Sequence, residues 1–154
     1  MNKLLIFLDI DGVLVSYDDI HIKDSNGHSL FKKESIEALN QINNGDCEIV
    51  ITSTWRLSMT LDQMQHLFIE RGIKIPIKGF TIDLSKNANR SHEINYHLVE
   101  EYSVEFIELP KFIILDDVNS FERTDFKSNF FQINKFRALD IYDVRIINKS
   151  LSKL

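Results

Sequence analysis

The sequence predicts a three-layer α/β sandwich around a mainly parallel, five-stranded sheet. Two observations carry this. Apolar bursts of four to six residues recur along the chain, with the length and continuity of strands covered on both faces. Stretches with apolar residues at helical spacing lie between the bursts, and such alternation builds a parallel sheet flanked by helices. At 154 residues the chain has the length of one domain, 1–154, and can bury a core without disulfides or structural metal.

The first strand is "KLLIFLD", which runs straight into Asp9 and Asp11. The segment Ser16 to Lys33 then alternates polar and apolar residues around Asn26-Gly27. Asn-Gly between alternating runs is a strong hairpin signal, so a small polar β-hairpin flap is expected just after the first strand. Ile36, Leu39 and Ile42 share one helix face, with Asn44-Gly45 as the stop. "CEIVITS" (Cys47 to Ser53) is the second strand. Thr60 with Gln63 makes a capping box for a helix striped by Leu61, Met64, Leu67 and Phe68 and ended by Gly72. "KIPIKGFTI" (Lys74 to Ile82) holds a shorter third strand. Ile94, Leu98, Val99 and Tyr102 stripe a third helix. "KFIILDD" (Lys111 to Asp117) and "NFFQIN" (Asn129 to Asn134) are the fourth and fifth strands, and Ile141, Val144 and Ile147 mark a terminal helix.

Composition narrows the function classes. A net charge of −5 predicts no broad, stable grip on nucleic acid, although a local basic patch could exist. The single cysteine, Cys47, sits in an apolar run and reads as a small buried hydrophobe, which suits a reducing, cytoplasmic setting. The apolar run after Met1 is too short for a signal-peptide core, and no stretch approaches a membrane span.

In an open α/β sheet, ligands bind beyond the carboxyl ends of the strands. Asp9 and Asp11 follow the first strand. Thr52, Ser53 and Thr54, then Trp55-Arg56, follow the second, and Asp116 and Asp117 follow the fourth. "KNANRSHEI", with Lys86 and Arg90, opens the third helix. Carboxylates gathered at one edge repel unless something positive joins them. A hard divalent cation with oxygen ligands, most naturally Mg²⁺, would do so, and the hydroxyls and cation could hold the remaining oxygens of a phosphate. This is a phosphoryl-transfer set: nucleophile, acid/base, metal and charge-stabilising donors.

These residues resemble the signatures of the haloacid dehalogenase (HAD) superfamily. "FLDIDGVL" looks like its first, a strand ending in DxDG. "IVITS" looks like its second and "ILDD" its fourth. Arg90 before "SHEI", or alternatively Lys86, stands for the third. Within the superfamily, "TSTWR" followed by the "RSHEI" helix is similar to small HAD domains of RNA-repair proteins. The resemblance implies a phosphatase. Asp9 would be the nucleophile that becomes an aspartyl-phosphate, and Asp11 the acid that protonates the leaving oxygen and then activates water. Gly12 would permit the turn that brings Asp11 over the bound phosphate. Thr52 and Ser53 would hold phosphate oxygens, and Arg90 would stabilise the charge shared by nucleophile and phosphate. Asp9, the Asp11 backbone carbonyl, Asp116 and Asp117 would form the Mg²⁺ site. Room between the signatures suffices for core elements and the hairpin alone, which implies a capless domain with an open site. An open site could admit polymers or be closed by self-association.

Competing readings are plainer. Asp-Gly is a common turn pair, Thr52 could be an ordinary strand threonine, and Arg90 a solvated helix-start residue. Trp55 reads as packing, while Arg56 could reach substrate or pair with an acid. His21, His28, His66, His92 and His97 show no metal-ligand spacing. The Phe-rich stretch Phe121 to Phe136 reads as core plus loop rather than a nucleic-acid platform. Three functions follow: a Mg²⁺-dependent phosphomonoesterase, a phosphatase acting on nucleic-acid ends, or a non-enzymatic phosphate-binding or interaction module on the same fold. A response-regulator receiver also clusters acids with Thr and Lys, but there the acid pair comes early and the hydroxyl late, the reverse of this chain.

Overall fold

The computed structural model describes residues 3–84, 89–102, 108–121 and 124–154. Five strands form one sheet: β1 (Leu4–Leu8), β2 (Cys47–Ile51), β3 (Ile77–Phe80), β4 (Phe112–Asp116) and β5 (Phe130–Gln132). Their spatial order is β3-β2-β1-β4-β5, and every pairing is parallel. All five residues of β1 are buried, as the unbroken apolar run requires at the centre of a sheet covered on both faces. Among the described residues, three α-helices lie between strands, α1 (Lys33–Asn40), α2 (Leu61–Glu70) and α3 (Arg90–Tyr102), and α4 (Ile141–Leu151) follows β5.

Alternation along the strands sorts the core into two layers. Leu4, Ile6 and Leu8 of β1 pack with Leu39 of α1, Met64 and Phe68 of α2, and Val144 and Ile147 of α4. Leu5 and Phe7 face the other way, against Ile94 and Leu98 of α3 and against Phe121. The period of two in a strand makes this division from one short sequence run.

Helix ends follow the chemistry of their sequences. The chain leaves α1 with Asn43 and Asn44 in the left-handed region, at φ 50° and 54°, where asparagine is among the better-tolerated residues. The Thr60–Gln63 capping box forms with both hydrogen bonds, at 3.1 and 2.9 Å. Asp140 and Asp143 make a second box at α4, which the sequence reading did not anticipate. Cys47 is buried and donates to the Ile42 carbonyl, and burial pushes its thiol up to about 12, so it is inert packing.

The hairpin segment is reduced to a tight turn. Asp24 Oδ1 accepts the Asn26 and His28 N–H groups, and Lys23 pairs with Ser29 in a single antiparallel bridge. It does not project freely, because Arg71, just after α2, donates to the Ser29 carbonyl and to Asp24. Among the described residues, no helix is long and apolar enough to cross a membrane.

Candidate active site

Parallel register brings the strand ends to one level. Leu8 pairs with Ile51 on one side and Leu115 on the other. The ladder then continues one step: Asp9 N–H donates to Leu115 O, and Thr52 N–H to Leu8 O, both at 3.0 Å. Asp9, Thr52 and Asp116 therefore stand side by side at the carboxyl edge. The chain also switches direction here. From β1 it winds outward through β2 and β3, then crosses back to β4 on the other flank of β1. A crevice opens at such a switch point.

Asp9, Asp116 and Asp117 each offer a carboxylate oxygen within 4.8 Å of the others. Asp9 and Asp116 are almost fully buried. Arg90, on the first turn of α3, spans the two: its Nη1 lies 2.9 Å from Asp9 Oδ2 and 2.6 Å from Asp116 Oδ2. Asp116 Oδ1 accepts the Val118 N–H at 3.0 Å. Burial, joined by the Asp116 charge, drives the Asp9 carboxyl up to about 8 despite Arg90. Burial raises Asp116 as well. Burial works against the charge on Arg90, yet Asp9 and Asp116 outweigh it and hold the guanidinium firmly protonated. The alternative cation, Lys86, lies outside the described residues.

Asp11 stands apart from that cluster. Its Oδ1 accepts the indole Nε1–H of Trp55 at 3.2 Å. The intervening turn depends on Gly12, at φ +86°, whose N–H donates to the Val15 carbonyl. Trp55, expected only to pack, does pack against Phe31 and stacks with His28, but its polar edge also holds Asp11.

Thr52 and Ser53 are buried at the end of β2, and Ser53 Oγ accepts the Trp55 N–H, starting a short 3₁₀ turn over Thr54–Leu57. This loop is organised by Arg56. Its guanidinium donates to the carbonyls of Thr52 (2.7 Å), Ser53 (3.0 Å) and Thr81 (2.8 Å), and to Glu93 Oε2 at 3.1 Å. Of the two roles open to Arg56 in the sequence, the structure shows the acid pair. Glu93 also accepts the Leu84 N–H, so this ion pair ties the loops after β2 and β3 to the start of α3. Glu93 lies three residues beyond Arg90, on the same helix face. That spacing was the one available signal for it.

The donor set suits a divalent cation. Three carboxylates converge, two of them on the Arg90 guanidinium, all their donors are oxygen, and burial together with the neighbouring Asp116 charge raises the Asp9 carboxyl. Hard oxygen ligands of this kind are what Mg²⁺ takes. Asp9, Asp116 and Asp117 are the residues that would hold it.

A family model described as "HAD domain in Swiss Army Knife RNA repair proteins" matches residues 5–144, from β1 into α4. No curated protein matches the chain.

Proposed function

The chain belongs to the family of HAD domains in Swiss Army Knife RNA repair proteins, and on that premise we propose that it is a Mg²⁺-dependent phosphomonoesterase acting through an aspartyl-phosphate on Asp9. The observation that carries this reading is the grouping of Asp9, Asp116 and Asp117 at the sheet edge, with Arg90 bridging the first two. Bound Mg²⁺ would supply the positive charge that keeps Asp9 ionised and would draw charge from the phosphoryl oxygens.

The remaining chemistry belongs to the chain's own groups. An Asp9 oxygen bonds to phosphorus as the bond to the leaving oxygen breaks, and the Asp11 carboxyl delivers a proton to that oxygen. Asp11 then takes a proton from water, whose oxygen bonds to phosphorus as the Asp9 ester breaks. Phosphate leaves and Asp9 is restored. The Trp55 bond steadies Asp11 for both transfers. Thr52, Ser53 and the turn at Gly12 line the space for the phosphate oxygens, and Arg90 offsets the charge that Asp9 and phosphate share. The segment from Asp11 to Thr52 holds short turns and α1, which supports reading residues 1–154 as a capless domain with an open site.

Asp9→Asn should lose turnover of an aryl phosphate in Mg²⁺ while keeping its circular dichroism and melting transition. Undiminished turnover in that variant would overturn the mechanism. EDTA should silence the wild type.

A second reading narrows the substrate to nucleic-acid ends, and the family's RNA-repair description favours it. With a net charge of −5, recognition would centre on the terminus rather than a long run of backbone phosphates. Comparing 3′- and 5′-phosphorylated oligonucleotides with sugar phosphates decides it; turnover of sugar phosphates alone removes this reading.

A further inference from the structure

We infer that Tyr17 and Phe136, with Lys135 beside them, form a platform on which a nucleobase stacks next to the acidic cluster, so that the phosphate removed is one carried by a nucleoside. This rests on the phosphomonoesterase reading and assigns its substrate contact.

Both rings face solvent: Tyr17 is 39% exposed and Phe136 56%. They meet edge to face, with centroids 6.4 Å apart. Lys135 Nζ lies 5.2 Å from one ring centre and 5.3 Å from the other. The stretch Phe121 to Phe136 was expected to be core plus loop. Phe121 is buried and Phe126, Phe130 and Phe131 are partly so, but Phe136 departs from that pattern.

The rings are held on a fixed backbone. Ser16 Oγ donates to the Phe136 carbonyl at 2.6 Å, and Tyr17 N–H to the Lys135 carbonyl at 2.9 Å. Asn134 Oδ1 accepts the N–H groups of Phe136 and Arg137, and Leu139 N–H donates to the Val13 carbonyl. Aromatic side chains exposed on a backbone held at this many points can be stacked upon at little further ordering cost.

The platform adjoins the site. Val15 pairs with Asp11, and Tyr17 follows two residues later. The Tyr17 hydroxyl stands beside Asp117, with Asp11 and Asp9 also within electrostatic reach. A base on these rings would carry its own phosphate toward the acidic cluster, with the Lys135 ammonium, which lies over both rings, moving aside to meet an adjoining phosphodiester. Every base has a π face, so a contact of this kind tolerates sequence.

The test compares nucleoside monophosphates and oligonucleotide ends with base-less ribose phosphate and abasic oligonucleotide ends. The wild type should favour the base-bearing member of each pair by about fivefold to a hundredfold in kcat/KM, chiefly through KM, the usual worth of one stacked base. In Phe136→Ala that ratio should fall toward one, and Phe136→Trp should restore it. A wild type blind to the base, or a ratio that survives Phe136→Ala and Tyr17→Ala, overturns the platform while leaving the phosphatase reading intact. Calorimetric binding to Asp9→Asn separates the opposite failure. Base-dependent binding there, with no turnover of any ester by the wild type, would uphold the platform and sink the phosphatase.

Discussion

The volume that a side chain on Gly12 would need is already filled by Asp117. An ideal Cβ built on Gly12 falls 2.6 Å from Asp117 Cγ and 2.7 Å from Oδ2. The loops after β1 and β4 are thus fitted together at this point, and φ +86° at Gly12 independently excludes most other residues. Gly12→Ala should displace Asp117, weaken Mg²⁺ binding at least tenfold, and cost about 1–3 kcal/mol from the strained backbone. Calorimetric metal titration and urea unfolding read the two effects separately. A variant with wild-type metal affinity would show that Asp117 takes no part in the metal site.

Arg56 and Glu93 form another tight contact, between the loop after β2 and the start of α3. Both are buried. Arg56→Met should destabilise the fold by about 3–5 kcal/mol, because it leaves the buried Glu93 without its ion-pair partner and takes the guanidinium donors from the Thr52 and Thr81 carbonyls. Arg56→Met combined with Glu93→Gln should recover part of that loss. If the single variant unfolds at the wild-type urea midpoint, Arg56 is not the organiser of these loops.

Trp55 is assigned to positioning the proton donor through one indole hydrogen bond. Trp55→Phe keeps a ring against Phe31 and loses the N–H. Its turnover should fall about tenfold on alkyl phosphates, whose leaving oxygen needs a proton, and much less on nitrophenyl phosphate, which leaves unaided. An equal fall on both substrates would indicate mere loosening of the loop.

Asp9 gives a pH signature. Its carboxyl rises from the ordinary 3.8 to about 8 through burial and the neighbouring Asp116, with Arg90 opposing. A group raised on folding binds its proton more tightly in the native state, so its contribution to stability is full below about pH 4 and is lost as pH climbs through about 8. In EDTA, the part of the melting temperature due to Asp9 should fall from pH 5 to pH 8, and Asp9→Asn should flatten that slope. Added Mg²⁺ should stabilise more at pH 8 than at pH 5, since it binds the ionised carboxylate. A pH-independent Mg²⁺ increment would contradict the raised carboxyl.

Much of this architecture was legible in the linear chain because its strands are short, central and apolar throughout. "LLIFL", "CEIVI" and "FIILD" correspond to β1, β2 and β4 over their full lengths. The capping box at Thr60 was equally plain, since it depends on residues three apart. The hairpin was legible only in part. Asn26-Gly27 made the turn, but Arg71, remote in sequence, straps the turn to the end of α2. Arg56, Glu93 and Phe136 could not be assigned from the chain, because each takes its meaning from partners tens of residues away or from exposure.

The sequence by itself determined which residue types stand at the strand ends: acids after β1 and β4, hydroxyls after β2, and an arginine opening α3. Local rules suffice for that, since apolar runs make strands and polar residues end them. The tertiary structure decided how they are shared out. Parallel register put Asp9 level with Asp116 and Thr52, burial there raised the Asp9 carboxyl, and Arg90 came between the two acids. Asp11 was turned instead toward Trp55. Charge, burial and hydrogen bonding act through space, so the division between the buried acidic cluster and the separate Asp11 carboxylate exists only once the chain has folded.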